Sequence, residues 1–118
     1  MAPYQPKDKA QFLDALSNEI VNKYLERKSG LLKVDNRELE SCLEKADANK
    51  DGSYATYHYI NALIYTIKCQ YNKARHSYNV ALTLDPNDVA IMNNYATFLI
   101  DNNEYNKAYE IVVKLIRD

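Results

Sequence analysis

The tetrapeptide Tyr71-Asn72-Lys73-Ala74 returns as Tyr105-Asn106-Lys107-Ala108, thirty-four residues further along the chain. The register around it repeats as well: Ala62 corresponds to Ala96, Ile64 to Phe98, Tyr65 to Leu99, and Leu82 to Ile116. A chain that repeats at a short fixed period is built from units that cannot bury their apolar faces alone, so neighbouring units must stack. Within the first copy Tyr59, Leu63 and Thr66 fall on one helix face, and Ala62 and Tyr65 on another. With only two Gly and three Pro in 118 residues, helices joined by short turns are favoured over a many-stranded sheet with its glycine-rich hairpins.

A helix–turn–helix unit of 34 residues is the period of the tetratricopeptide repeat. The residues resemble that family's pattern W-x2-L-G-x2-Y…A-x3-F…P. It appears here as His58-x2-Asn61-Ala62-x2-Tyr65…Ala74-x3-Tyr78…Pro86, and again as Met92-x2-Tyr95-Ala96-x2-Leu99…Ala108-x3-Val112. His58 and Asn61 depart from it, standing where a large aromatic and a leucine are usual. The spacing makes physical sense. Ala62, Ala74, Ala96 and Ala108 are small where two helices must cross closely, and Tyr65, Tyr78, Leu99 and Val112 are bulky where the gap beside the crossing must be filled. Asp85-Pro86 ends one helix, and Asp88 is placed to cap the next. The resemblance implies an all-α fold, a right-handed superhelical stack of three antiparallel helix pairs, about six helices in all.

The first pair is expected over residues 1–52 as a degenerate repeat, followed by two repeats over 53–118 (about 55–88 and 89–118), the whole forming one structural domain. Phe12, Leu13, Leu16, Ile20, Val21, Tyr24 and Leu25 make an apolar stripe, and Gly30 supplies a stop. Asp35 with Glu38 offers a capping box for a second helix whose stripe is Leu39, Cys42, Leu43 and Ala46. Ala46-Asp47-Ala48-Asn49 precedes Leu84-Asp85-Pro86-Asn87 by 38 residues, so this junction is about four residues longer than the repeat allows.

That junction carries the sharpest competing motif. Asp47-x-Asn49-x-Asp51-Gly52-Ser53 matches the first half of an EF-hand calcium loop. The twelfth position, which should supply a bidentate Glu, is His58, a poor ligand for a hard cation. The loop is expected to be a polar capping turn and not a metal site. No cofactor and no enzymatic activity are expected. Cys42, Cys69, His58 and His76 keep no zinc-ligand spacing, Cys69 and His76 set no nucleophilic geometry, and two glycines cannot build a phosphate loop. The two cysteines read as free thiols within helical patterns. Charge is almost balanced, 15 basic residues against 16 acidic, which gives no footprint for a nucleic acid. No apolar run reaches membrane-spanning length and no signal-peptide core opens the chain, so a cytoplasmic location is expected, or a periplasmic one if a leader has been removed.

What remains is surface. By the resemblance, the first helix of each pair lines a concave groove for a protein or peptide partner. Carried over by position, the groove would expose Thr56, Tyr59, Leu63, Thr66 and Ile67, then Ala90, Asn93, Thr97, Ile100 and Asp101, with Asn94 beside Asn93 able to bond a peptide backbone. Family members that hold acidic chaperone tails use Lys, Arg and Asn there. Neither repeat here places Lys or Arg in the groove, so the expected ligand is an apolar or mixed segment bound as a helix or a strand. The final run Ile111-Val112-Val113-Lys114-Leu115-Ile116 has no polar capping helix after it, which suggests a homodimer through that end, a longer array, or a ligand covering it. The expected function is a small adaptor or assembly chaperone. The alternatives are a component of bacterial pilus or secretion assembly, whose repeats Asn93-Asn94-Tyr95-x2-Phe98-Leu99…Tyr105-x2-Ala108-Tyr109 resembles, and a calcium-responsive regulator.

Overall fold

The computed structural model describes residues 6–28 and 36–117. Among the described residues there are six helices and no strand: α1 Pro6–Lys28, α2 Asn36–Ala48, α3 Ala55–Ile67, α4 Tyr71–Leu84, α5 Val89–Asp101 and α6 Tyr105–Arg117. The all-α stack expected from the repeat is what the chain forms. The Gly30 stop and the Asp35 cap lie outside the described residues.

The helices pair where small residues allow it. Ala62 on α3 and Ala74 on α4 are both wholly buried, and α3–α4 is the most extensive packing in the molecule. Ala96 and Ala108 stand in the same relation in α5–α6. The turn inside each pair is the same. Gln70 N–H donates to the Tyr65 carbonyl at 2.8 Å and Cys69 N–H to Thr66 at 3.0 Å; Glu104 donates to Leu99 and Asn103 to Ile100 at those same two distances. This is the Schellman closure, in which the residue after the C-cap takes the left-handed conformation. Asp88 caps α5 as expected, its Oδ1 accepting from Ile91 N–H at 3.0 Å.

Tyr78, at the bulky position of the pattern, joins the two repeats. Its ring stacks on Tyr95 with centroids 4.9 Å apart and lies 5.4 Å from Phe98 and 6.3 Å from Tyr59. Geometry of this kind adds about 0.5–1.5 kcal/mol per aromatic pair beyond area burial. Burial holds the Tyr78 hydroxyl well above the ordinary tyrosine pKa.

Helix α1 packs mainly on α3, and only lightly on α2. Leu13, Leu16 and Ile20 are buried and Tyr24 partly so, a single line at spacings of three and four. Phe12 and Leu25, counted in the apolar stripe, are exposed because they flank that line and do not meet α3. On α2, Leu39, Cys42 and Ala46 enter the core. At the other end of the stack α6 buries only Ala108 fully. Tyr105, Tyr109 and Ile116 project into solvent.

Candidate functional site

The repeat pattern predicts that α3 exposes Thr56, Tyr59, Leu63, Thr66 and Ile67. The structure corrects this. Tyr59 is 4 % exposed, Leu63 0 % and Ile67 2 %; Thr56 is buried as well and Thr66 half-buried. The reason is α1, whose Leu13, Leu16 and Ile20 share one apolar core with this face of α3. A tyrosine and two aliphatic side chains gain more from that contact than from water, at about 1.5–3 kcal/mol for each aliphatic side chain fully buried.

The corresponding row on α5 stays accessible. Ala90, Asn93, Ile100 and Asp101 are exposed, with Thr97 and Asn94 intermediate. Two separate cavities lie between α1, α3 and the α5 side of the molecule, one toward each end of α3. One, of about 250 Å³, is lined by Tyr24, Thr66, Ile67, Cys69, Tyr71, Phe98, Asp101 and Asn102. The other, of about 270 Å³, is formed by α1 (Asp14, Ser17, Asn18), the start of α3 (Tyr54, Thr56, Tyr59) and the α4–α5 turn (Asp85, Asp88, Ala90).

Hydrogen bonds fix the helices around them. The Asn94 amide donates to the Tyr59 phenolic oxygen and to the Ala90 carbonyl, so α5 is tied to α3. The Asp14 carboxylate accepts from the Tyr54 hydroxyl at 2.9 Å and from the Thr56 hydroxyl at 3.0 Å, tying α1 to α3. At the opposite end the Tyr24 hydroxyl donates to Asp101 Oδ2 at 3.4 Å, spanning from α1 to α5. Thr66 and Thr97 turn their hydroxyls back to the carbonyls of Ala62 and Asn93 in their own helices. Burial pushes the Tyr59 hydroxyl up to about 12, and burial raises Tyr54 too. Both are neutral hydrogen-bonding groups at physiological pH. The site offers shape, amides, phenols and carboxylates.

The calcium-like loop is occupied with itself. Asp51 accepts from the Ser53 hydroxyl at 2.6 Å and from Ser53 N–H at 3.0 Å, which lowers its pKa. Asp47 accepts from the Tyr57 hydroxyl at 3.1 Å, and Asn49 donates to the Lys45 carbonyl at 2.9 Å. His58, in the position of the missing Glu, lies 2.9 Å from the Gly52 carbonyl through Nε2. These are the partners of a polar turn. Among the described residues no three His, Cys, Asp or Glu side chains converge on a common point. Cys42 is buried, which raises its thiol pKa, while Cys69 is exposed at the α3–α4 turn.

The α5 residues named from the repeat pattern are accessible, but the pattern did not give Asp14, Tyr24, Tyr71 and Phe98, which line the two cavities. The stripe on α1 carried the signal. Leu13, Leu16, Ile20 and Tyr24 required a partner helix, and the candidate face on α3 was the one left without a neighbour.

A family model described as tetratricopeptide repeat matches residues 22–117, from the last turns of α1 through α6. No curated protein matches the chain, and no solved structure does. Among the described residues no helix is long and apolar enough to cross a membrane.

Proposed function

The chain belongs to the tetratricopeptide repeat family, and from that premise we propose that it is a non-enzymatic adaptor or assembly chaperone that holds a partner segment between α1, α3 and α5. The observation that supports this is the pair of cavities between these helices, lined on the α5 side by Ala90 at one end and Asp101 at the other, with Asn93, Thr97 and Ile100 accessible on the same helix. Their walls are set by packing, so a partner meets a rigid surface and little ordering entropy is spent on the protein side.

The test is selection from a random peptide library on the folded chain. Binders are then measured against Asn93→Arg, Thr97→Arg, which crowds the accessible side of α5, and against Lys107→Ala on α6 as a control. Binders lost with the first variant and kept with the second support the reading. A selection that yields no binder sensitive to the first variant overturns it.

A second surface favours self-association. Tyr109 and Ile116 on α6 are 70 % and 79 % exposed, large apolar side chains on the last helix of the stack. We propose a homodimer through this face. Sedimentation at high concentration tests it: a monomer that Ile116→Asp leaves unchanged would rule the dimer out.

A further inference from the structure

Helix α6 buries Ala108 fully and lays Ile111 against the core. On the flank beside these, at helical spacings, stand Tyr105, Tyr109, Val112, Val113 and Ile116. The two tyrosines and Ile116 are exposed and the two valines half-buried. Lys107 and Lys114 take the opposite side of the helix.

The internal repeat gives this flank a precedent. Thirty-four residues earlier the same positions are Tyr71, Arg75, Tyr78, Asn79 and Leu82 on α4. Four of them hold the next repeat. The Tyr71 ring lies 6.3 Å from Phe98, Arg75 pairs with Glu104 at 2.7 Å, Tyr78 stacks on Tyr95 at 4.9 Å, and Asn79 Oδ1 accepts from the Tyr95 hydroxyl at 3.1 Å. The α6 flank therefore continues an interface that the molecule already makes once. It differs in polarity. Where α4 carries Arg75 and Asn79, each matched to a polar group of the next repeat, α6 carries Tyr109 and Val113. A helix bringing the polar groups of the α5–α6 repeat would leave them unmatched there, whereas a surface as apolar as the flank itself would not.

Charge selects between the ways two such flanks can meet. Glu110 and Arg117 border the stripe on one edge, two turns apart, and both are exposed. Two copies related by a two-fold axis present the same patch to each other, so each edge meets its own counterpart. With the helices parallel, Glu110 meets Glu110 and Arg117 meets Arg117. With the helices antiparallel, Glu110 of each copy meets Arg117 of the other, and every like-charge contact becomes an ion pair. Resting on the homodimer reading above, we propose that the occupant of this flank is α6 of a second copy, packed antiparallel, with a Glu110–Arg117 pair at each end of the contact. The same register sets Tyr109 of one copy beside Ile116 of the other, because both pairs are seven residues apart and centred within one residue of Val113. The overlap, from residue 109 to 117, is roughly 13 Å of helix at 1.5 Å per residue. A contact of that length belongs with small, concentration-dependent interfaces, below about 1,200 Å².

The test uses the full chain. Sedimentation compares the dimer constant of the wild type with Glu110→Arg, with Arg117→Glu, and with the two exchanged together. Each single change sets like charges opposite one another twice and should weaken the dimer roughly two- to thirtyfold, the combined effect of two exposed ion pairs. The double exchange restores both pairs in reversed order and should return the constant close to that of the wild type. It carries the same two foreign residues, so its recovery separates pairing from folding. A second measurement reads the orientation directly. In a Cys69→Ser background, which leaves only the buried Cys42 as a native thiol, Val113→Cys should link two copies when treated with oxidised glutathione. Asn106→Cys, on the same edge but far from the axis, should not.

A wild-type chain that stays monomeric at high concentration overturns both this pairing and the homodimer reading. A dimer abolished by Ile116→Asp but indifferent to the single charge changes, or one linked through Asn106→Cys, overturns the antiparallel pairing and leaves the homodimer standing. Failure of the double exchange to recover also overturns the pairing. So does association that grows past the dimer, which would mean that copies stack head to tail.

Discussion

Cys69 and Asn103, thirty-four residues apart, share the same left-handed backbone conformation, φ 62° in each. Each is the second residue beyond the first helix of its pair, and its own N–H together with that of the next residue closes the same two hydrogen bonds back onto that helix. The repeat is therefore preserved in backbone geometry at a position where it is not preserved in side chain. Glycine is the usual occupant of this position because a Cβ there crowds the following carbonyl, at a cost of about 1–2 kcal/mol.

Replacing Cys69 by glycine should therefore stabilise the fold. The relief of strain is partly offset by the greater freedom of glycine in the unfolded chain, leaving a net gain of roughly 0.5–1 kcal/mol. Thermal melting should show Cys69→Gly raised by about 3–5 °C. Asn103→Gly should gain less, because asparagine tolerates this conformation and because Asn103 accepts from the Tyr105 hydroxyl at 2.8 Å. Cys69→Ala is the control: it keeps the Cβ and should show no gain. Equal melting temperatures for the glycine and alanine variants would contradict the strain argument.

The fold was legible in the sequence because its determinants are local. The period, the alanines at the crossings, and the Asp88 cap each act within one repeat or one helix end, and Tyr78 fills the gap its position in the pattern assigns to it. The site was legible only in half. Whether Tyr59 and Leu63 face a ligand or another helix depends on where α1 docks, and periodicity gives a helix an apolar face without naming its partner. The Cys69 turn was hidden for a different reason: the residue that would have announced it, glycine, is absent.

Tyr78 is the residue on which the two repeats depend most. It is buried and touches Tyr59 from its own repeat and Tyr95 and Phe98 from the next. Tyr78→Ala should cost about 3–5 kcal/mol, the range for removing a large buried ring. Denaturant titration of Tyr78→Ala and Tyr78→Phe would check this. The phenylalanine variant keeps the ring and should lose far less. A loss below about 1 kcal/mol for the alanine variant would mean that the repeats hold together without this contact.

The docking of α1 is open to a more local test. Ile20 is 1 % exposed within the α1–α3 core, so Ile20→Asp would bury an unpaired carboxylate unless α1 lets go. Hydrogen exchange should show α1 amides losing most of their protection while α5 and α6 keep theirs. Tyr59 should at the same time become accessible to ring-modifying reagents. Protection lost equally in all helices would show that α1 is an inseparable part of one cooperative unit.

Alkaline pH provides the last test, because the core is rich in tyrosine. Burial pushes the Tyr59 hydroxyl up to about 12, and burial raises Tyr78 and Tyr95 in the same direction. The unfolded chain releases these protons near the ordinary tyrosine value of about 10. Below that pH both states hold the protons and these groups contribute no pH dependence. Between about 10 and 12 the folded state keeps protons that the unfolded state has lost, so stability falls as pH rises through that window. Melting temperatures across the window should drop, and the ultraviolet signature of tyrosinate should rise together with unfolding for the buried rings. Tyr59→Phe removes one of these protons, so its stability should fall less steeply with pH, although it starts lower by about 0.5–1.5 kcal/mol for the lost Asn94 hydrogen bond. A variant with the same slope as the wild-type chain would show that the Tyr59 hydroxyl is not held protonated by its burial beneath α1.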